Sequence, residues 1–436
     1  MRRSINQISA EARAGDSASR SSSSRRAWAL GGTAMVSGFP FVLPGQGAAE
    51  VPIRAGVIGC GGRGLGAVVD LLAADRSATV VALADLFEDR LNQCRQQLKE
   101  VGVQVLGGHC FAGFDAYEKL LALPEVNYVI LATPPHFRPI HLRTAVEAGK
   151  HVLLERPAAV DAPGVRSIIE SGELAVRKGL SLVAGTHRRH RRDYQETIRR
   201  VREGAVGELL VGRAYWEAGE VWFNGSDPQW PEMEYHCRNW YYFTWLSGDH
   251  IVEQHVDNLD VMNWVLGTHP VRARGNGGRQ VRTGRLMGQI YDHFAIEYEY
   301  PNGARVHSFC RQTDGAEGNI SESVTGTRGN SNCRTLIAAR GAPPWHFAER
   351  FTSGYVQEHL DLVRSIREGR PLNESRPLAE STLTAIMGRE AAYSGQPVGW
   401  DQAYHSTTRL APERYAFDAK PPPSPVAIPG QYKLLP

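Results

Sequence analysis

Apolar and polar positions alternate in blocks along the first half of the chain. Short, mostly apolar runs typical of buried strands occupy residues 53–58, 79–84, 128–132 and 151–154. Between them, as over residues 65–72 and 139–148, apolar residues recur every three or four positions, which indicates amphipathic helices. This alternation predicts an α/β fold in which an N-terminal Rossmann domain contains a doubly wound parallel sheet.

The second half has a different pattern. Strand-like segments occupy residues 180–184, 288–300 and 304–313, the last two around a turn at 300–304, and helical periodicity returns over 355–366 and 378–393. A proline-rich tail follows. We expect four segments, namely an N-terminal address over 1–49, a dinucleotide-binding domain over 50–172, an α/β substrate and oligomerisation domain over 173–420, and an extended tail over 421–436.

The first predicted strand runs directly into the sequence GCGGRG, which contains the motif G-x-G-x-x-G. Gly59 makes the tight turn, Gly61 lets the backbone approach a pyrophosphate, and Gly64 lets helix and strand pack closely. Gly62 and Arg63 lie within this motif and are assigned to the cofactor with it, and the N-terminus of the helix that follows faces the phosphates. The order of strand, glycines and helix makes this a specific signal for a dinucleotide site.

Other strand ends belong to the same predicted site, because the carboxyl ends of parallel strands share one edge of the sheet. Asp85 ends the second strand and is placed to bind the adenosine ribose hydroxyls. Its charge would repel a 2′-phosphate, so the sequence favours NAD, and Arg63 leaves NADP open. The remaining strand-end residues that we assign to the cofactor are Thr133, Pro134, His136 and Glu155.

The first 49 residues have the features of an export signal. Arg25 and Arg26 precede an uncharged run over 29–43, and small residues at 47–49 offer a cleavage site. This order is typical of a bacterial twin-arginine signal, which predicts a periplasmic or exported protein. The run is too short and too interrupted for a stable membrane anchor. The alternative is a disordered extension.

Charge and cysteine content narrow the function classes. The first 49 residues contain six arginines and two acidic residues, a net charge of +4 that leaves −1 for the rest of the chain. This balance gives no electrostatic basis for binding nucleic acid. The six cysteines have no close pairs, which argues against a zinc site or a disulfide framework, so no metal is expected.

The segments GCGGRG, ALAD, ATPPHFRPIH and AGKHVLLERP together resemble the Gfo/Idh/MocA oxidoreductases, and the similarity continues through residues 248–260 and 388–400. The resemblance implies a Rossmann domain followed by an α/β domain with a large, mostly antiparallel sheet. It further implies a sugar or cyclitol substrate and a sheet that often forms a dimer interface, so we expect a homodimer or homotetramer.

This sequence departs from the family pattern at two positions that the resemblance implies are catalytic. Arg156 replaces the usual lysine of the strand-end motif, and the D-x-x-x-H pair becomes Glu253 and Asp257. Arginine stays protonated at working pH, so it holds a substrate oxygen but does not shuttle protons. Glu253 and Asp257 are expected on one helix face, where Asp257 could act as a base. The alternatives are a solvated helix face and a structural ion pair.

Two further clusters supply candidate sugar contacts. A basic cluster follows the strand at 180–184, and an aromatic run precedes the helix that contains Glu253. Aromatic rings stack on the apolar faces of sugars, although surface exposure and core packing are the ordinary alternatives. The residues that we assign to substrate are His187, Arg189, His190, Arg238, Trp240 and Tyr241.

Export and a nicotinamide cofactor together limit the chemistry. The periplasm has no obvious pool of free cofactor, so a cofactor exported inside the folded protein must be regenerated in each cycle. Three functions stay open. They are an NAD(P)-dependent oxidoreductase for a sugar, cyclitol or glycoside, a redox-neutral NAD-dependent glycosidase, lyase or epimerase, and a non-catalytic cofactor-bound binding protein.

Overall fold

The computed structural model describes residues 51–284, 286–423 and 425–434. The predicted export signal, residues 1–49, therefore lies outside the described residues. The first of two sheets contains six strands, β1 (Arg54–Ile58), β2 (Thr79–Asp85), β3 (Cys110–Ala112), β4 (Tyr128–Leu131), β5 (His151–Leu154) and β6 (Leu182–Ala184). All pairs are parallel, in the order β3-β2-β1-β4-β5-β6. This order confirms the doubly wound Rossmann sheet.

Helices cover both faces of this sheet. Those between its strands are α1 (Gly62–Ala74), α2 (Glu88–Glu100), α3 (Ala116–Leu121), α4 (Arg138–Glu147) and α5 (Ala162–Arg177). Strands buried on both faces need apolar side chains throughout, and all four residues of β4 are fully buried. In this half the predicted strands are found to within one residue and the predicted helices to within three residues.

The second domain is built on a nine-stranded sheet. Its strands are β7 (Leu209–Ala218), β8 (Arg272–Gly278), β9 (His293–Glu299), β10 (Arg305–Gln312), β11 (Asn319–Gly326), β12 (Gly329–Ser331), β13 (Leu336–Ala339), β14 (Trp345–His346) and β15 (Val398–Gly399). The order is β14-β13-β12-β11-β7-β10-β9-β8-β15, antiparallel except between β7 and β10. The expected large, mostly antiparallel sheet is confirmed.

The helices of the second half are α6 (Arg192–Arg202), α7 (Glu232–Arg238), α8 (Thr244–Ser247), α9 (His250–Glu253), α10 (Val256–Leu266), α11 (Gly354–Glu368), α12 (Ser375–Ser394) and α13 (Trp400–His405). Helices α10 and α12 pack on one face of the second sheet. The side chains of Phe294, Ile296 and Tyr298 in β9 point to that face, where packing against the helices buries them.

Two features place the domain boundary differently from the sequence prediction. Residue 172 lies inside α5, and β6 extends the first sheet to Ala184, because its apolar residues pair with β5. Helix α11, far away in sequence, packs on α1 and buries Leu362 and Ile366 in the core of the first domain. The first domain is therefore completed by a helix from the C-terminal region.

Candidate active site

The glycine loop has the geometry of a pyrophosphate site. Gly59 has a φ of +99°, and a Cβ on Gly64 would lie 1.8 Å from the Gly59 carbonyl oxygen, so neither position accepts a side chain. In contrast, nothing lies within 4 Å of the Cβ position of Gly61. No side chain caps the N-terminus of α1 in the described structure. Open space beside backbone N–H groups at a helix start fits the phosphates of a dinucleotide.

Asp85 lies at the end of β2, directly beside this loop. Its carboxylate accepts hydrogen bonds from the backbone N–H groups of Cys60 at 2.7 Å and of Phe87 at 3.0 Å. Burial raises the pKa of Asp85, and these two hydrogen bonds oppose the increase. Because each carboxylate oxygen has a second lone pair, the group can still accept hydrogen bonds from ribose hydroxyls.

An open cleft continues from the glycine loop across the strand ends. It is lined by Gly59, Gly61, Asp85, Thr133 and Pro134 of the predicted cofactor set, so these five residues surround one space. The aromatic residues that line it are Phe87, Phe114, Tyr117, Phe137 and Trp240. A mostly apolar cleft with a few polar groups at its end suits an adenosine moiety.

Four other predicted cofactor residues have different environments. His136 is buried and bonded through Nε2 to the hydroxyl of Tyr415 at 2.8 Å. The Nε of Arg63 donates to Glu155 at 2.5 Å, and its guanidinium also lies 3.4 Å from Asp70 and 3.6 Å from Glu358. Gly62 is the first residue of α1. Arg63 and Glu155 thus link β5, α1 and α11 at the edge of the site.

Arg156, Glu253 and Asp257 meet at the end of β5, between the two domains. The guanidinium of Arg156 lies 3.2 Å from the Asp257 carboxylate and 3.7 Å from the Glu253 carboxylate. The side chain of Arg156 is 10% exposed, that of Asp257 is 3% exposed and that of Glu253 is 9% exposed. This is therefore a buried cluster rather than a solvated helix face. Arg156 and Asp257 therefore form a buried ion pair with each other.

The prediction that Glu253 and Asp257 share one helix is wrong. Helix α9 ends at Glu253 and α10 begins at Val256. Arg156 explains the break, because its Nη1 donates to the Glu253 carbonyl at 2.7 Å, the group that would accept the Asp257 N–H in a continuous helix. The Asp257 N–H instead bonds the Gln254 carbonyl at 3.3 Å.

Asp257 has the electrostatic environment of a potential base. Burial raises the pKa of its carboxyl, while Arg156 and Arg188 oppose the increase. A carboxylate with a raised pKa binds a proton more readily than an exposed aspartate. The opposing positive charges still favour the ionised form that a base requires.

A second group of polar atoms lies near this cluster. His187 stacks on Tyr355 with ring centroids 4.3 Å apart. The guanidinium of Arg63 lies 4.7 Å from the centre of the same Tyr355 ring. Nδ1 of His187 and Oγ1 of Thr186 are buried without a hydrogen-bond partner among the described residues. Burial lowers the pKa of His187, and Arg188 and Arg156 lower it further. A neutral histidine with an unsatisfied nitrogen is available to a ligand.

The other predicted substrate residues lie elsewhere. Arg189 forms a two-pronged pair with Asp260, and His190 lies between Asp361 at 2.8 Å and Glu374 at 3.3 Å. Tyr241 is 1% exposed and packs in the core. These three are engaged in structural contacts that local sequence does not reveal.

Arg238 and Trp240 lie at the adenosine end of the site. Arg238 pairs with Asp89 and Glu234 and lies 4.0 Å from the centre of the Phe87 ring, while Trp240 lines the cleft. The aromatic run thus contacts the first domain near the predicted ribose position.

Sequence reasoning missed Tyr355, Arg188 and Glu322. Arg188 and Glu322 form a buried ion pair beside Asp257, and Asn258 donates to the same glutamate at 2.5 Å. Tyr355 lies in the first turn of α11, a helix that was predicted, but its local sequence pattern does not indicate its contacts with His187 and Arg63. Arg188 was part of the basic cluster, which gave the only signal for it.

The ranges that the structure describes contain neither a metal-binding cluster nor a helix suited to crossing a membrane. No cluster of three or more His, Cys, Asp or Glu side chains there is arranged to hold a metal ion. No helix among the residues described has the length and apolar character needed to cross a membrane.

Comparison with known proteins supports the identity of the first domain. The family profile described as "Oxidoreductase family, NAD-binding Rossmann fold" (GFO_IDH_MocA) matches residues 53–186. A glycosyl hydrolase family 109 protein of Streptomyces coelicolor is 24% identical over 301 residues, which cover 67% of this chain and 61% of that protein. Matches to a Streptomyces niveus protein of the same name cover 31% of its length. The chain thus spans less than two thirds of these two relatives.

Other relatives match over more of their length. The myo-inositol 2-dehydrogenase of Thermotoga maritima is 22% identical over 338 residues, 73% of this chain and 90% of that protein. Among solved structures, levoglucosan dehydrogenase in complex with NADH and levoglucosan has a TM-score of 0.64 at 16% identity, covering 80% of this chain and 99% of that one. Aldose-aldose oxidoreductase from Caulobacter crescentus, complexed with glycerol, has a TM-score of 0.63 at 18% identity, with 80% and 100% covered. These structures share the two-domain fold.

Proposed function

We propose, from the premise that residues 53–186 form an NAD-binding Rossmann domain of the Gfo/Idh/MocA oxidoreductase family, that this protein transfers hydride at a hydroxyl-bearing carbon of a sugar, cyclitol or glycoside. One observation carries the proposal. A buried carboxylate with a raised pKa, Asp257, lies 3.2 Å from Arg156 at the end of β5, on the strand-end edge where a Rossmann domain performs its chemistry. The substrates named for the dehydrogenase relatives supply the substrate class.

The residues of this chain divide the work of binding the cofactor. The glycine loop would hold the pyrophosphate, and Asp85 would hold the adenosine ribose and favour NAD over NADP. Bound NAD would supply the hydride acceptor. The aromatic cleft would cover the adenosine and exclude water from it.

Proton transfer falls to Asp257 in this proposal. When a substrate hydroxyl is oxidised to a carbonyl, its carbon loses a hydride and its oxygen loses a proton, which the Asp257 carboxylate accepts. Arg156 cannot accept that proton, but its guanidinium can donate hydrogen bonds to the developing carbonyl oxygen. His187, with its unsatisfied Nδ1, is placed to orient another hydroxyl. The lysine and histidine of the family pattern would thus be replaced by an arginine for binding and a carboxylate for the proton.

We further propose that the mature protein is exported with its cofactor and keeps it. The twin-arginine pattern at residues 25–26 supports export, and a protein that folds before export can carry a bound dinucleotide. A retained cofactor must return to its starting redox state in each cycle, so one sugar is oxidised while a second is reduced. Fractionation of cells that express the full-length chain, with and without Arg25→Lys and Arg26→Lys, tests export. Equal amounts of the two proteins in the periplasm would contradict it.

A redox-neutral glycosidase is the second candidate, favoured by the relatives named as glycosyl hydrolase family 109. In this chemistry a ring carbon is oxidised transiently, which acidifies the neighbouring C–H bond. A base removes that proton, the glycosidic oxygen leaves, water adds, and the hydride returns to the ring. Asp257 and Glu253, which both flank Arg156, provide two carboxylates for these proton transfers.

A binding protein without turnover is the third candidate, favoured by the Arg156–Asp257 ion pair itself. A pair of this kind is a stable arrangement that needs no catalytic role. The double substitution Arg156→Lys with Asp257→His restores the family pattern at both positions. Turnover that appears only in this variant would support the binding-protein function.

Incubation of the purified protein with a panel of sugars, cyclitols and glycosides separates the three candidates. Products are identified by mass spectrometry and NADH is followed by absorbance. Oxidised product supports hydride transfer, hydrolysed glycoside without NADH supports the second candidate, and ligand binding without product supports the third. If no sugar binds or reacts, the proposed substrate class is wrong.

We propose that the open face of the second sheet joins two copies of the chain. On the face opposite α10 and α12, Tyr215 and Phe309 stack with ring centroids 5.5 Å apart, and Phe309 is 36% exposed. Exposed aromatic residues on a flat sheet are typical of an interface. Light scattering during size-exclusion chromatography tests this, and a monomer at all concentrations would contradict it.

A further inference from the structure

The segment after the last helix lies against the cofactor cleft, although it is distant from it in sequence. We call residues 406–420 the C-terminal strap. At its start, the backbone N–H of Leu410 donates to the carboxylate of Asp161 at 2.8 Å, and the carbonyl of Ser406 accepts from Arg166 at 3.2 Å. Both partners belong to the turn and helix that follow β5. The strap is thus fixed to the first domain at one end.

Two aromatic residues of the strap contact three successive strand-end loops. Phe417 packs on Phe87, after β2, with ring centroids 5.9 Å apart, and on Phe114, after β3, at 5.2 Å. Tyr415 packs on Phe137, after β4, at 5.8 Å. Phe87, Phe114 and Phe137 all line the cleft. The strap therefore packs against the aromatic wall of the cleft that is predicted to hold the adenine ring.

A polar contact fixes the middle of the strap. The Tyr415 hydroxyl bonds Nε2 of His136 at 2.8 Å, and His136 is 7% exposed. Burial and the nearby Arg409 together lower the pKa of His136 to about 3, so the ring is neutral at working pH. The hydrogen bond assigns His136 a role in holding the strap.

The outward side of the strap is different in character. Arg414 and Asp418 form an exposed ion pair four residues apart in sequence, with their side chains 59% and 76% exposed. Charged residues face solvent while Tyr415 and Phe417 face the first domain. This alternation is what a segment needs when it covers an apolar site from outside.

We infer that the C-terminal strap is part of the cofactor site and slows the release of NAD by holding the aromatic wall of Phe87, Phe114 and Phe137 in place around the adenine ring. This inference rests on the proposed function, because it requires that NAD occupies this cleft. It supplies a physical basis for a retained cofactor. A cleft whose walls come from three separate loops loses its shape when those loops move apart, and Tyr415 and Phe417 join them.

The test measures how fast NAD leaves. The mature protein, with its C-terminal strap intact, is loaded with radiolabelled NAD and passed through a desalting column. Unlabelled NAD is then added in excess, and the release of the label is followed over time. The variants are Tyr415→Ala with Phe417→Ala, and the matched control Arg414→Ala with Asp418→Ala, which changes the exposed side of the same segment. We expect release to be about 10- to 100-fold faster in the aromatic variant and unchanged in the control.

The outcomes separate the strap from the proposed function. If wild-type protein neither contains nor binds NAD, the proposed function fails. If it binds NAD and the aromatic variant releases it at the wild-type rate, the strap inference is wrong while the proposed function stands. Tyr415→Phe is a milder variant that controls for misfolding, because it keeps the aromatic ring and removes only the hydrogen bond to His136. An intermediate release rate is expected for it, and a circular dichroism melt checks the fold of each variant.

Discussion

Replacing Asp257 with asparagine tests whether its carboxylate is a base or only a structural partner of Arg156. Asparagine keeps the shape of the side chain but accepts no proton. General base catalysis contributes about 10²- to 10⁴-fold to a rate, so we expect kcat to fall by about that factor. The loss should appear in kcat more than in KM, because Arg156 still holds the substrate oxygen.

The same substitution also removes one partner of a buried ion pair. Breaking such a pair costs about 3–5 kcal/mol when the remaining charge has no other partner. Arg156 keeps the Glu253 carbonyl at 2.7 Å and the Glu253 carboxylate at 3.7 Å. We therefore expect a smaller loss in the free energy of unfolding, about 2–3 kcal/mol, measured by urea denaturation.

Asp260→Asn is the matched control. Asp260 lies one turn further along α10, is 2% exposed, and pairs with Arg189 through two nitrogens at 2.8 Å and 2.9 Å. Its replacement should destabilise the fold at least as much and leave kcat within about threefold of wild type. Turnover by Asp257→Asn at the wild-type rate, or an equal loss of kcat in both variants, would refute the assignment of Asp257 as the base.

Three other predictions concern the cofactor site and the domain contact. Asp85→Ala should weaken NAD binding and shift the cofactor preference toward NADP, because it removes the carboxylate proposed to bind the ribose and repel a 2′-phosphate. Titration with each dinucleotide measures this preference. An unchanged preference would contradict the prediction. Gly61→Ala should weaken NAD binding without changing the thermal stability of the protein, because the new Cβ enters the open space beside the loop. Gly64→Ala should destabilise the fold itself, because its Cβ would collide with the Gly59 carbonyl. Melting curves with and without NAD distinguish the two effects. Burial would lower the pKa of His190, but hydrogen bonds to its acidic partners raise it to about 10. The charged His190 therefore stabilises the folded protein fully below its ordinary pKa of 6.5, and this stabilisation is lost as the pH rises through about 10. His190→Gln should therefore melt below wild type at pH 6 and together with it above pH 10, and an equal deficit at both values would show that the ion pairs are not its cause.

Local sequence was enough to predict most of the first domain. Buried parallel strands need apolar runs, and the glycine motif allows few backbone conformations, so β1, β2, β4 and β5 and the loop at residues 59–64 followed directly from composition and spacing. The cluster of Asp85, Thr133 and Pro134 around one cleft also followed, because parallel strands share an edge.

The rest depends on partners that are distant in sequence. The break between α9 and α10 arises because Arg156, about 100 residues earlier, takes the Glu253 carbonyl. Helix α11 was predicted as a helix, but its position in the first domain depends on a surface that folds from residues 51–186. Arg189 and His190 were assigned to substrate by their charge, and only the folded chain brings Asp260 and Asp361 to them.

The most direct test of a retained cofactor at this site is to denature the purified mature protein and identify any nicotinamide that it releases. Its redox state is recorded before and after incubation with the sugar panel. We predict about one NAD(H) per chain, returned to its starting redox state while product accumulates. Protein that releases no nicotinamide, needs added NAD and produces NADH in proportion to product would contradict the account of a retained and recycled cofactor.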